Sequence, residues 1–177
     1  QSPYIVTSDV VVFPGVTLTI QPGVEIRVAS STGTELRAGN LIANGTDSAP
    51  ITFTLDDLDP ASATKWNGIE NTSLESESVN IELSHFVLEY AATGLNYGAG
   101  FANRSISNGV FRYNDRGVFD GAQGYNWVTI TDTEFLENGV GMEGRMSAIN
   151  CTFINNTTGF GNPMTFQNIN SGARVTN

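Results

Sequence analysis

"ISNGVFRYNDRGV", residues 106–118, decides the fold once three other segments are set beneath it: "LSHFVLEYAATGL" (83–95), "ITDTEFLENGVGM" (130–142) and "AINCTFINNTTGF" (148–160). The four share one frame without gaps. Each opens on an aliphatic residue, Leu83, Ile106, Ile130 or Ala148, and two positions on carries His85, Asn108, Asp132 or Asn150. Five positions on comes a large apolar residue, Leu88, Phe111, Phe135 or Phe153, and eight on comes Ala91, Asn114, Asn138 or Asn156. Eleven on stands Gly94, Gly117, Gly141 or Gly159, and the frame closes on Leu95, Val118, Met142 or Phe160. Successive glycines are 23, 24 and 18 residues apart, the length of one solenoid coil.

No helical period runs through these segments; short apolar runs broken by Asn, Asp and Gly are strand and turn chemistry. A coil this short cannot bury its own apolar face, but stacked on its neighbours at about 4.8 Å it builds a continuous core. The frame therefore predicts Phe side chains stacked inside a tube. It predicts glycines in a backbone conformation that a Cβ disfavours. It predicts Asn in left-handed or Asx turns, and Asn side chains hydrogen-bonded along the axis as a ladder.

Outward from the frame, the N-terminal half carries the same pattern less regularly. "VVVFPGVTLTIQPGVEIRV" (10–28) has Pro-Gly turns at Pro14 and Pro22, and apolar residues alternate between them in the period of a strand. "ELRAGNLIANGTDSAPITFT" (35–54) and "WNGI" (66–69) continue it. The stretches "GVTLTIQPGVEIRV", "LIANGTDSAPITFT" and "WNGI", followed by the Asn and Gly repeats, resemble the secreted right-handed parallel β-helix proteins of the pectate-lyase-like superfamily. The resemblance covers nearly the whole chain. It implies an all-β fold, a single right-handed parallel β-helix of about seven or eight coils, and an extracellular or cell-surface setting. It does not imply an activity, because this fold carries lyases, hydrolases, epimerases, adhesins and structural spacers.

Residues 1–177 then form one domain: irregular N-terminal coils with room for a cap over 1–70, regular repeats over 83–160, and an incomplete or capping coil over 161–177. A hydrophobic content of 40% supports one core. The net charge of −10, with only 8 Lys and Arg, argues against nucleic acid, whose phosphates need basic clusters. No stretch is apolar and long enough for a transmembrane segment. Cys151 is the single cysteine, so no internal disulfide forms, and within "INCTFI" it reads as a buried small hydrophobe.

Residues with chemistry are few. The superfamily's galacturonan hydrolases resemble one another in an Asp-Asp pair and a Gly-His-Gly; this chain has Asp56 and Asp57 but not the second motif. Its one histidine, His85, occupies a repeat position and reads as structural. The lyases' Arg-x-Pro-x-x-Arg and the epimerases' Asp-Pro-His are absent too. No catalytic set is assembled, and the chain leans away from an enzyme.

Asp56, Asp57 and Asp59 in "LDDLDP" are a candidate Ca²⁺ site, or a solvated acidic turn. Tyr97, Tyr113, Tyr125 and Trp127, in or near Gly-rich connections, are candidates for stacking on sugar rings or on another subunit. Of the Asn-x-Ser/Thr sequons, those at Asn71 and Asn103 lie outside the repeat core and are the better candidates for glycans. In "FRYNDRGVFD" (111–120) the frame leaves Arg112, Asp115, Arg116 and Asp120 unassigned, and these read as a structural ion-pair group on a turn. The expected function is a non-catalytic building block of a surface layer, fibre or adhesin, with self-association or other surface proteins as partners. The alternative is a carbohydrate-binding module, or a lyase- or hydrolase-like enzyme acting on an extracellular polysaccharide.

Overall fold

A computed structural model describes residues 2–30, 33–57, 64–71, 79–97, 102–121, 128–161 and 174–175. Short alternating apolar runs make these residues strands, and no helix occurs among them. The strands are β1 (Tyr4–Val6), β2 (Val10–Ile20), β3 (Glu25–Val28), β4 (Glu35–Asn44), β5 (Ile51–Leu55), β6 (Gly68–Asn71), β7 (Val79–Glu89) and β8 (Thr93–Tyr97). They continue as β9 (Ala102–Arg112), β10 (Arg116–Asp120), β11 (Val128–Thr131), β12 (Glu134–Leu136), β13 (Val140–Gly144), β14 (Met146–Ile149), β15 (Thr152–Ile154), β16 (Thr158–Gly161) and β17 (Arg174–Val175).

Every pairing between these strands is parallel, and the pairings fall into three ladders. The first runs β1, β3, β5, the second half of β7, the second half of β9, β12, β15 and β17. The second runs from Val10–Val12 of β2 through the first half of β4 to β6, β8, β10, β13 and β16. The third runs from Thr17–Ile20 of β2 through the second half of β4 and the first halves of β7 and β9 to β11 and β14. From β1 to β16 the chain visits first, second and third ladder in unchanging order, so the all-β architecture is a β-helix-like solenoid.

The frame read from the sequence is the register of the ladders. Leu83 pairs with Ile106, Ile106 with Ile130 and Ile130 with Ala148. Leu88 pairs with Phe111, Phe111 with Phe135 and Phe135 with Phe153. Leu95, Val118, Met142 and Phe160 follow one another in the second ladder. Inside, Phe111 and Phe135 stack with centroids 5.3 Å apart, and Phe135 and Phe153 at 4.7 Å. Phe86 meets Phe111 edge-on at 5.2 Å. Trp66 is also buried and bridges to Ala91, its indole N–H donating to the Glu89 carbonyl at 3.0 Å.

The Asn column forms the expected ladder. Oδ1 of Asn138 accepts from the backbone N–H and the Nδ2 of Asn114, both at 3.0 Å, and Oδ1 of Asn156 accepts the same pair from Asn138, both at 2.9 Å. Each Nδ2 also donates to a backbone carbonyl, Leu88 for Asn114 and Phe111 for Asn138. The amide suits this place because it offers donor and acceptor on one short side chain.

Two expectations change. The repeat glycines are not needed for a left-handed turn. A Cβ on Gly141 would lie 2.6 Å from the Gly159 carbonyl oxygen and 2.9 Å from the Phe153 ring, so close approach of the next strand sets the residue. The left-handed corners belong to His85, Asn108, Asp132 and Asn150, as the turn reading had it, and to a second column it missed: Tyr90, Tyr113, Glu137 and Asn155. Tyr and Glu are not residues that announce positive φ.

Candidate functional site

Two features stand out from the regular walls. The first is a groove of 480 Å³ on the outer face of the first ladder, lined by Glu25, Arg27, Thr52, Thr54, Asp57 and Glu89 among others. Alternation along β3, β5 and β7 points these side chains outward while Ile26, Phe53 and Leu88 point in. Glu89 is buried, and both its oxygens are committed: Oε1 accepts from the Thr54 hydroxyl at 2.7 Å and Oε2 from Arg112 Nε at 2.6 Å. Arg27 Nε donates to Glu25 at 2.8 Å, and that bond strengthens the guanidinium's hold on its proton. The Asp56 carboxylate lies 3.8 Å from Arg27, and Asp57 accepts from the Ser30 hydroxyl at 3.0 Å. The groove thus carries the carboxylates of Glu25, Asp56, Asp57 and Glu89 against the guanidinium of Arg27, with the hydroxyls of Thr52 and Thr54 between them.

The unassigned residues of "FRYNDRGVFD" are distributed rather than assembled. Arg112 reaches Glu89 in the preceding coil, Lys65 pairs with Asp115, and Arg116 pairs with Glu143, Nε to Oε2 at 2.6 Å. Each pair joins residues far apart in sequence and neighbouring in the stack. Asp120 is buried next to Tyr97 in the register of the second ladder. The ion pairs are the structural group the sequence suggested, but they hold one coil to another instead of forming a cluster on one turn.

The remaining candidates divide by position. Tyr97 is fully buried, its ring under the Arg104 guanidinium at 4.4 Å, and burial drives its phenol far above its ordinary range. It therefore offers no face to a sugar. Tyr113 is half-buried and stacks on Tyr90 at 5.2 Å, so one of its faces is already covered. Tyr125, Trp127 and Asp59 lie outside the described residues. Asp56 and Asp57 are exposed, and no cluster of three metal-ligating side chains occurs among the described residues. Asn71 is buried, with Nδ2 donating to the Ala38 carbonyl at 3.1 Å, a bond that a glycan on that nitrogen would displace. Asn103 starts its sequon on β9, with its side chain outside the described set. His85 sits at its left-handed corner, Nε2 3.3 Å from Asp47. Cys151 is buried, and burial pushes its thiol up.

The second feature is the N-terminal end of the stack. Six large hydrophobic residues are exposed among the described residues, and five of them, Tyr4, Ile5, Val11, Phe13 and Val16, belong to β1 and β2. Beneath them an apolar cavity of 240 Å³ opens between Val6, Val10, Leu18 and Ile26. A row of apolar side chains facing water is a surface that water tolerates poorly. Residues 1–24 hold one charged side chain, Asp9, and the strand register sets which of their faces stays exposed.

No helix among the described residues is long and apolar enough to cross a membrane. No family model, no curated protein and no solved structure matches the chain.

Proposed function

We propose that the chain is a single right-handed parallel β-helix of about seven or eight coils, of the pectate-lyase-like kind, and that it serves as a non-catalytic building block in an extracellular layer, fibre or adhesin. The observation that carries this reading is that the polar side chains of the repeat are used internally. Asn114, Asn138 and Asn156 bond to one another and to backbone, and Arg112, Arg116 and Lys65 pair between coils. What such a scaffold leaves for the outside is contact with other proteins. Light scattering across a concentration series tests it: mass growing with concentration is expected, and a strict monomer throughout overturns it.

A second reading, a carbohydrate-binding module or a polysaccharide-active enzyme, is favoured by one observation, the polar groove beside Glu89. Binding on a glycan array with and without Ca²⁺ tests it. Binding lost in Glu89→Gln supports the groove, binding lost in Trp127→Ala or Tyr125→Ala supports the aromatic connections, and no binding to any glycan overturns the reading.

A further inference from the structure

We propose that the groove on the first ladder binds an amino-sugar chain, with sugar hydroxyls over Thr52 and Thr54 and a protonated amine over Asp56 and Asp57. The inference rests on the glycan reading above and names the class of sugar. Shape carries it first. Glu25 and Arg27 on β3 stand on one side of the groove, and Glu89 at the end of β7 stands on the other. Between them β5 places short hydroxyl side chains, Thr52 level with Glu25 and Thr54 level with Arg27. Long side chains on the outer strands and short ones on the middle strand make a trench two strand spacings wide, roughly 10 Å. Its volume of 480 Å³ falls within the range of small-ligand sites.

The floor suits hydroxyl partners. Thr54 gives its proton to Glu89 at 2.7 Å, so its oxygen is left to accept. The Thr52 hydroxyl makes no hydrogen bond among the described residues and is available both to donate and to accept. Arg112 holds Glu89 at 2.6 Å, so this side of the trench is in place before a ligand arrives.

Charge then selects among sugars. Four carboxylates, Glu25, Asp56, Asp57 and Glu89, face two guanidiniums, Arg27 and Arg112. Those two spend their short bonds on Glu25 and Glu89. At the end of β5, Asp56 has Arg27 only at 3.8 Å, and Asp57 accepts from the neutral Ser30 hydroxyl. Arg37, Lys65 and Arg116 are engaged with Glu35, Asp115 and Glu143 elsewhere on the stack. The excess negative charge therefore gathers at one end of the trench, where an ammonium with its three donors fits and a uronate is repelled. A lysine-rich peptide would satisfy the carboxylates but leave the threonine floor unmatched.

Titration calorimetry of the whole chain tests this with a glucosamine oligosaccharide, its N-acetylated counterpart, a galacturonate oligosaccharide and an oligolysine, all of equal length. The glucosamine oligosaccharide is expected to bind, and the N-acetylated one about tenfold more weakly, the loss of one charge-assisted bond. Raising the salt concentration is expected to narrow that gap. Asp56→Asn combined with Asp57→Asn, at two exposed positions, is expected to bring the glucosamine oligosaccharide down to the level of its N-acetylated counterpart, with the thermal melting of the protein unchanged. Equal binding of the two sugars by the parent chain overturns the selection of an amine and leaves the glycan reading standing. Tighter binding of the galacturonate, with or without Ca²⁺, has the same consequence. Oligolysine bound as tightly as the glucosamine oligosaccharide overturns the sugar as the ligand. Unchanged glucosamine binding in the double variant overturns the groove as its seat. Failure to bind the glucosamine oligosaccharide overturns the inference, and the glycan reading falls with it only if a glycan array is also blank.

Discussion

The coils between Leu83 and Phe160 and the strands between Tyr4 and Val28 solve one problem with different means. The former combine three devices along the stack: a ring stack inside, an amide file at one corner and ion pairs outside. The latter rely on alternating Val, Leu and Ile, turn by Pro-Gly, and keep Tyr4, Phe13 and Val16 in water. Among the described residues an internal coil packs between two others and the coil of β1 and β2 packs against one, so it buries less of its apolar surface. Specific devices accumulate where both neighbours exist to use them.

The largest expected break in this contrast is Phe135→Ala. Its ring lies fully buried between Phe111 and Phe153, and truncation is expected to cost about 4 kcal/mol in urea unfolding. Leu18→Ala, beside the open cavity, is expected to cost about 1 kcal/mol because its surroundings are already incomplete. Equal costs would mean that the two regions are packed alike.

Asn138→Ala comes next. It leaves the Asn114 amide and the Phe111 carbonyl without partners in a buried place, at about 3 kcal/mol. Asn44→Ala on the exposed wall, where the side chain bonds only Ser84 and Glu82, should fall within about 0.5 kcal/mol of the parent.

Glycine sharpens the contrast further. Gly141→Ala drives a Cβ against a backbone oxygen that belongs to the next strand, with an expected loss of about 2 kcal/mol. Gly15→Ala meets nothing within 4 Å and carries only the conformational cost of φ +79°, about 1 kcal/mol.

The smallest effect is pH-dependent. Burial raises the Cys151 thiol, so the folded chain keeps its proton where the unfolded chain releases it. Its contribution is complete below the ordinary thiol range and declines as pH rises through the folded value. The stability difference between the parent and Cys151→Ala should shrink between neutral and strongly alkaline pH; a difference that grows would reverse the assignment.

How much of this was legible beforehand depends on the periodicity of the residues concerned. The frame from Leu83 to Phe160 came out as the true register because large rings, amides and glycines recur at fixed offsets, and a parallel stack turns offset into contact. The reason for the glycines was not legible, since a close carbonyl leaves the same residue preference as a positive φ. The Tyr90 and Glu137 corners were invisible because their side chains do not report the backbone beneath them. Tyr97 looked like a loop aromatic from its glycine-rich neighbours, yet it ends a strand and faces the interior, which only the pairing with Asn71 and Asp120 reveals. Glu89 gave no signal, because its partners Thr54 and Arg112 lie 35 and 23 residues away.

The amide file has a sense of direction. From Ala91 through Asn114 and Asn138 to Asn156, every bond onto an amide oxygen has its donor in the earlier coil, while the Nδ2 bonds to the Leu88, Phe111 and Phe135 carbonyls run the other way. Bonds aligned in this way polarise one another, so each link is strengthened by those on either side. The corner therefore behaves as a lacing across the strands, Asn114 and Asn138 each tied to the coil before and the coil after. Its strength rises with the number of coils strung on it, and a cut in the middle weakens both remaining pieces.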